Sequence, residues 1–349
     1  MLGIGIRRAA TLPRLPTAWV AFLIVVVASA LLAPDVWPAF LGDPVRMMGV
    51  VGWILIAGAW MVGASRDDVP IERYAEVLIA VAAVSSVIAI GQAAMGSARP
   101  GGSMGNPMFL GALLCLALPV ALARWQVPVL GAASVVMAIA LILTQARGAA
   151  LGVAVALAVM LFARGRRAVA VGLVGLGIVL VLVVPVARTT AQGRVDTWRE
   201  TVDVVAERPV LGWGPEGFRI GFAKHMSEDW VRSYGVEQIP DRAHNAVLDV
   251  VVSSGVLGAA TYLALLFSTG AALWRRRGSP LEVAVAAGVL AYVVQSQFSF
   301  DTFDTAAIAW LLVGALQSRS CDGGAHRPLA RITTSVAVGL AVVALSGVA

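Results

Sequence analysis

The sequence predicts an all-α fold, a polytopic helical membrane protein with about eleven transmembrane helices and one long extracytoplasmic loop. Of its 349 residues, 59% are hydrophobic and only 13% are charged, and the mean hydropathy is +0.86. Apolar runs long enough to cross a hydrocarbon core of about 30 Å recur along the chain. Backbone N–H and C=O groups inside that core must bond to each other, so these runs are expected to be helices.

The apolar runs divide the chain into three parts. Residues 1–186 form an N-terminal transmembrane bundle of about seven spans, residues 187–243 an outer loop with an amphipathic helix, and residues 244–349 about four C-terminal transmembrane helices. The first run follows three arginines, as in a signal peptide, but continued hydrophobicity favours a retained span. The expected spans are 18–34, 47–64, 75–95, 107–123, 127–144, 148–163, 168–186, 245–273, 281–299, 304–317 and 331–348.

The distribution of arginines predicts the orientation. If the N-terminus is cytoplasmic, fifteen arginines lie in inner loops, whereas the short outer connections hold only Arg46, Arg99 and Arg147. The formal net charge of +6 then reflects anchoring at the inner leaflet rather than nucleic-acid binding. Cys115 falls in a span and Cys321 in an inner loop, so we expect no disulfide.

The outer loop is the one large hydrophilic segment. Its first half spaces Val195, Trp198, Val202 and Val205 as an apolar stripe on a helix, which Pro209 ends. Such a helix lies along the outer membrane surface or the bundle, or it is solvated and packs on a small core of its own. The sequence leaves both alternatives open.

Two short outer connections carry unusual residues. In "ARPGGSMGNP", Asn106 and Pro107 are typical of a capped helix start. In "LTQARGAA", almost no loop separates two spans, so Arg147 is held at the outer boundary. A guanidinium there either reaches to lipid headgroups or faces a polar cavity, where its forked donors suit an anionic, lipid-linked substrate.

A histidine precedes the next apolar run. His244 and Asn245 begin the pattern H-N-x9-G-x-x-G, in which Gly255 and Gly258 are expected to let another helix approach closely. An imidazole at this boundary is often only an interfacial side chain, but it can also accept a proton from a hydroxyl near neutral pH. His225 and His326 adjoin no such pattern.

Several classes of chemistry lack their motifs. The outer side offers two histidines and no cysteine, so neither a metal site nor any other cofactor is expected. Neither a G-x-S-x-G nucleophile elbow nor a phosphate-binding loop is present. Glycosyl or phosphoryl transfer without a soluble nucleotide remains open.

Four stretches, in this order, carry a resemblance to a known family. They are "GGSMGNPMFLG", "QARGA", the outer loop opening with "GRVDTWRETVDVVAERPVLGWGPEGF", and H-N-x9-G-x-x-G. Together, over about residues 97–318, they resemble the O-antigen ligase and polymerase superfamily of the bacterial envelope. The family is usually described with about twelve spans rather than eleven.

The resemblance implies a glycosyltransferase in the bacterial inner membrane with a periplasmic active site. It would move a glycan from undecaprenyl pyrophosphate to a hydroxyl of the lipid A core, with inversion and without metal. The implied catalytic residues are His244 as the base, with Arg147 and Arg194 holding the pyrophosphate, although Arg188 and Arg199 lie near the last of these. The residues expected to bind substrate are Asn245, Arg199, Arg242, Asn106 and Arg219.

Other functions remain possible from the sequence. A polymerase that extends the same lipid-linked glycan, or a protein O-oligosaccharyltransferase, would use the same donor chemistry. A lipid-linked glycan flippase would also have many helices, but intramembrane acids are scarce. A scaffolding protein is a third class. In each case the expected partners are membrane lipids and glycans, and no nucleic acid.

Overall fold

The computed structural model describes residues 13–172, 175, 188–275 and 278–318. Regular structure in these ranges is helical throughout, with no strand. The helices are α1 (Thr17–Leu31), α2 (Val36–Leu41), α3 (Val50–Ser65), α4 (Ile71–Ala94), a 3-10 turn (Gly102–Met104), α5 (Pro107–Leu122), α6 (Pro128–Thr144), α7 (Arg147–Ala163), α8 (Arg188–Glu207), α9 (Phe218–His225), α10 (Glu228–Tyr234), α11 (Ala246–Trp274), α12 (Pro280–Ser296) and α13 (Phe303–Gln317).

The expected apolar spans correspond closely to these helices. Two, α4 and α11, are long and apolar enough to cross a membrane, and seven shorter apolar helices have 15 to 17 residues. Most of span 168–186, and the whole of span 331–348 with Cys321, lie outside the described residues. The all-helical fold is therefore confirmed, and the count of eleven spans stays a prediction.

The bundle is organised around α5. Every side chain from Leu110 to Ala121 is buried, including Cys115. Glycines bring the neighbouring helices close. In the α3–α13 pair, a Cβ added at Gly63 of α3 or at Gly314 of α13 would collide with the backbone of the opposite helix. A Cβ added at Gly288 of α12 would lie 2.6 Å from the Leu116 carbonyl oxygen of α5. Such contacts replace the hydrophobic driving force that lipid does not supply.

Helix α11 is broken at Gly255, which has a φ of 66°. The break frees backbone groups, and the loop after α8 bonds to them: Trp213 N donates to Val252 O (2.8 Å) and Val256 N donates to Pro209 O (2.8 Å). A Cβ at Gly255 would collide with the backbone of Val210. The expectation of a close helix at H-N-x9-G-x-x-G was therefore wrong, because a loop makes the close approach.

The outer segment has its own small core. Helices α8 to α10 pack around Trp213, Phe222 and Trp230, and Val252 of α11 joins them. This agrees with the second alternative for α8. The core-facing residues differ from the predicted stripe, since Val202 is 63% exposed whereas Thr201 is buried.

Hydroxyl bonding explains that difference. Thr197 Oγ1 donates to Gly193 O (2.7 Å) and Thr201 Oγ1 donates to Thr197 O (2.6 Å). Because each hydroxyl is satisfied within the helix, these threonines can be buried at little cost. The periodicity of valines therefore predicted the helix but not its buried face.

Candidate active site

His244 lies immediately before α11. The N-cap of this helix is Asn245, whose Oδ1 accepts from Leu248 N (2.9 Å) and whose Nδ2 donates to Gln297 O (3.1 Å). Both ends of the amide are therefore used in holding the helix start. Asn245 was expected to bind substrate; the structure shows its side chain in this structural role, and a part in binding substrate stays a prediction.

The backbone of His244 is held in the left-handed region, with a φ of 54°. Few side chains adopt this conformation readily, so its neighbours must impose it. The preceding residue, Ala243, is fixed on both sides: its N–H donates to Asp249 Oδ1 (2.7 Å) and its carbonyl accepts from Trp198 Nε1 (2.7 Å). The imidazole is thus placed by α8 and α11 together.

The surroundings of the His244 ring bear on its protonation. Nδ1 is buried without a hydrogen-bond partner among the described residues, whereas the residue as a whole is only partly buried. Burial and the positive charges of Arg194 and Arg46 lower the pKa of His244, against the opposing effect of Asp241. The imidazole is therefore neutral over a wider pH range than usual, as a general base requires.

Arg147 is the first residue of α7. Helix α6 ends at Thr144, so only Gln145 and Ala146 connect the two, with Gln145 in the left-handed region at φ 55°. Thr144 Oγ1 accepts from Ala146 N (3.1 Å), which closes the turn. The prediction of an almost loop-free turn carrying Arg147 is confirmed.

The connection between α12 and α13 contacts both the start of α11 and the start of α7. Gln297 accepts from Asn245, Phe300 lies 5.5 Å from the His244 ring between centroids, and a Cβ on Gly148 would lie 2.7 Å from Phe298 Cβ. His244 and the start of α7 therefore border the same six-residue segment, 297–302.

Three arginines lie close enough for the charges of two of them to act on the third. Burial, and then the charges of Arg99 and Arg147, lower the pKa of Arg194. Among the described residues, no acidic side chain forms an ion pair with any of the three. We call Arg99, Arg147 and Arg194 the open arginine cluster. Like charges held together without acids favour an anionic ligand.

Two further arginines near His244 are neutralised by acidic side chains. Arg242 donates to Glu216 Oε1 (2.5 Å), with both side chains 7% exposed. Arg46 pairs with Asp241 and Asp43, and lies 3.8 Å from Glu216 Oε2. We call Arg46 and Arg242, with these three acids, the acid-paired cluster. Arg242 was expected to bind substrate, but its charge is already matched.

The remaining expected substrate-binding residues lie apart from the imidazole or serve in structural contacts. Asn106 caps α5 as predicted, its Oδ1 accepting from Met108 N (2.8 Å). Arg199 is exposed on α8 and pairs with Asp196 (3.4 Å). Arg219 is exposed on α9. Their part in binding substrate stays a prediction.

Sequence reasoning missed three residues near His244. Arg99 and Arg46 were recognised only as outer-loop arginines, although their placement against the positive-inside trend was a signal. Phe300 carried no signal, yet its ring contacts His244, Phe109 at 5.6 Å and Arg46 at 5.7 Å. No group of three potential metal ligands occurs in the part of the chain that the structure describes.

Residues 132–263 match the family model for O-antigen ligase. The match covers 132 of the 349 residues and supports the resemblance to the O-antigen ligase superfamily. The matched range contains Arg147, Arg194 and His244, whereas Arg46 and Arg99 lie before it. No curated protein matches the sequence.

The matched family indicates a general class for the protein. Its members are membrane proteins that act as glycosyltransferase-like ligases or polymerases, on lipid-linked glycans and glycan acceptors. The apolar helices of the bundle fit that location.

Proposed function

We propose that this protein transfers a glycan from undecaprenyl pyrophosphate to a hydroxyl of the lipid A core, at the periplasmic face of the bacterial inner membrane. The observation that carries the proposal is the juxtaposition of the partly buried His244 imidazole with the open arginine cluster, which no acid among the described residues neutralises. The match to a family model described as O-antigen ligase supports this general class of reaction.

Arg147 and Arg194 of the open arginine cluster would bind the diphosphate of the donor. Guanidinium groups offer planar, forked N–H donors that match phosphate oxygens. As the bond between the anomeric carbon and the diphosphate oxygen breaks, negative charge grows on the leaving group. Fixed positive charges stabilise that change without reorganisation, so the leaving group needs no proton.

His244 would act as the general base. The acceptor hydroxyl attacks the anomeric carbon and gives its proton to Nε2, a new C–O bond forms, and undecaprenyl pyrophosphate leaves. The imidazole is available to take the proton because its lowered pKa keeps the ring unprotonated over a wider pH range. With a single base and no carboxylate nucleophile assigned, we expect one displacement with inversion and no metal.

Exposed tryptophans support the proposed orientation. Trp125 and Trp274 are 64% and 74% exposed, and each adjoins an arginine at a helix end that is expected to be cytoplasmic. Tryptophan and arginine together are typical of the inner interface. In this arrangement residues 187–243 are the periplasmic loop, between transmembrane bundles formed by residues 1–186 and 244–349.

Reconstitution tests the proposal. The full chain, in lipid nanodiscs, is incubated with an undecaprenyl-pyrophosphate-linked glycan and with lipid A core, glycan or protein acceptors, and the products are identified by mass. Transfer to the lipid A core is the expected result. Elongation of the donor glycan would indicate a polymerase, and glycosylated protein an O-oligosaccharyltransferase. Movement across the bilayer without bond formation would indicate a flippase, and any of these results would replace the proposal.

A further inference from the structure

The connection between α4 and α5 is folded back and fixed on α4. Gly102 N donates to Gln92 Oε1 (2.8 Å), and Gln92 Nε2 donates to Gly102 O (3.1 Å). Ser103 N donates to Ser85 Oγ (3.1 Å). Gly102 has a φ of 59°, and a Cβ there would lie 2.5 Å from the Ser85 carbonyl oxygen. This loop therefore has a defined conformation rather than a choice of many.

The same loop is docked on the turn between α6 and α7. Gln145 Nε2 donates to Ala98 O (3.1 Å), and Arg99 Nε donates to Thr144 O (3.3 Å). These two bonds bring Arg99 beside the turn that carries Arg147. The position of the Arg99 side chain is thus imposed by its surroundings.

The Nε bond leaves the two terminal nitrogens of Arg99 available. They make no hydrogen bond to another described residue, and the side chain is exposed. An uncharged donor would satisfy Thr144 O equally well and would not repel Arg147 and Arg194. A purely structural role therefore does not account for a guanidinium at this position.

We infer that Arg99 is a third ligand of the diphosphate, and that it acts mainly on the departing undecaprenyl pyrophosphate. This inference rests on the proposed function. A diphosphate esterified at both ends carries two negative charges, whereas the released lipid diphosphate gains a further ionisable oxygen, about three charges in all near neutral pH. The three positive charges of the guanidinium groups match the charge of the released lipid diphosphate better than that of the donor. Stronger interactions with this developing charge lower the barrier to glycan transfer.

Substitution of Arg99 tests this assignment. Arg99→Gln keeps an amide donor near Thr144 O but removes the charge. We expect the affinity for undecaprenyl pyrophosphate, measured by direct binding and as product inhibition, to fall about tenfold. The KM for the donor should change less, and kcat should fall. Arg99→Lys should restore part of the affinity. Arg232→Gln, at an exposed arginine of α10 that pairs with Glu228 and Asp229, is the matched control and should behave as wild type.

Chemical labelling of the wild-type chain gives a second measurement that needs no variant. Phenylglyoxal should modify the exposed Arg99, and undecaprenyl pyrophosphate or inorganic pyrophosphate should protect it. Nanodiscs of phosphatidylglycerol without diphosphate should not protect, which distinguishes a diphosphate site from contact with anionic lipid. Equal binding by wild type and Arg99→Gln, or labelling unaffected by diphosphate, would overturn the inference.

The two proposals fail in different ways. If the wild-type chain binds undecaprenyl pyrophosphate through Arg99 but forms no glycosidic bond, the inference about Arg99 stands and the transferase function fails. If transfer occurs and Arg99→Gln matches wild type in kcat and product affinity, the transferase function stands and the inference about Arg99 fails.

Discussion

The two groups of arginines beside His244 differ in what surrounds them. In the acid-paired cluster, Arg242 and Arg46 contact carboxylates, and Glu216 serves both. In the open arginine cluster, charges lie together and no acid pairs with any of the three among the described residues. A buried charge that lacks its partner is costly. The charges of the first cluster are already paired, whereas those of the second gain most when an anion arrives. Residue type alone does not distinguish them.

Substitution of His244 should have the largest effect on the rate of transfer. His244→Ala removes the proposed base, and we expect transfer to fall by about a hundredfold to ten-thousandfold while binding of undecaprenyl pyrophosphate persists. Product mass and direct lipid binding provide the two measurements. His225→Ala is the control, because that histidine pairs with Glu207 (2.6 Å) in the outer segment. Full activity of His244→Ala would remove the base assignment.

Substitutions in the open arginine cluster should have the next largest effect on the rate of transfer. Arg147→Lys or Arg194→Lys keeps the charge but loses the fork, and we expect about a tenfold loss in transfer, with about a hundredfold loss for the glutamine variants. Rates at several donor concentrations provide the measurement. A fully active Arg147→Lys protein would mean that Arg147 only reaches to lipid headgroups.

Substitutions in the acid-paired cluster should lower the stability of the protein rather than its rate of transfer. Glu216→Gln leaves Arg242 buried without a counter-charge, and we expect a loss of about 3 to 5 kcal/mol in the free energy of unfolding. Thermal unfolding in detergent reports this change. Glu228→Gln, on an exposed side chain of α10, is the control. If Glu216→Gln keeps wild-type stability but loses affinity for undecaprenyl pyrophosphate, the distinction between the clusters is wrong.

A smaller effect is expected on the pH dependence. Asp241 raises the pKa of His244, against the lowering by burial and by Arg194 and Arg46. Asp241→Asn should therefore lower this pKa and move the acidic limb of the transfer rate to lower pH. The pH profile of kcat/KM provides the measurement, with Asp229→Asn on α10 as the control. A shift to higher pH would contradict the assignment of His244 as the titrating base.

Chelation should give no effect. The proposed mechanism neutralises the diphosphate with arginine, so EDTA should leave the transfer rate unchanged. Inhibition that added Mg²⁺ or Mn²⁺ reverses would show that a metal shares this task.

Local patterns predicted much of this arrangement. Apolar runs located the main helices, and Asn106 and Pro107 located the start of α5, because helix formation and capping depend on neighbours in the sequence. The turn bearing Arg147 followed from the lack of residues between two spans. His244 and Arg147 were singled out by their positions at the ends of apolar runs, whereas Arg194 and the three catalytic roles came from the family resemblance.

Contacts between distant segments could not be predicted in the same way. Arg99 and Arg147 are brought together by bonds between two separate turns, and Arg46 meets Glu216 across 170 positions of the chain. The buried face of α8 depends on which surface faces Trp213, so Thr201 replaced Val202 in the core. Such choices are set by tertiary packing, which a single sequence does not display.

The broken backbone at Gly255 changes how the longest helix relates to the lipid. Residues 256–274 would extend about 28 Å at 1.5 Å per residue, close to the thickness of the hydrocarbon on their own. If residues 256–274 cross the membrane as proposed, the segment from Ala246 to the break would stand above the acyl chains and would hold His244 outside them. A polyprenyl carrier could keep its tail among the lipids while its sugar meets the imidazole in water, so the reaction would not require lifting the carrier out of the bilayer.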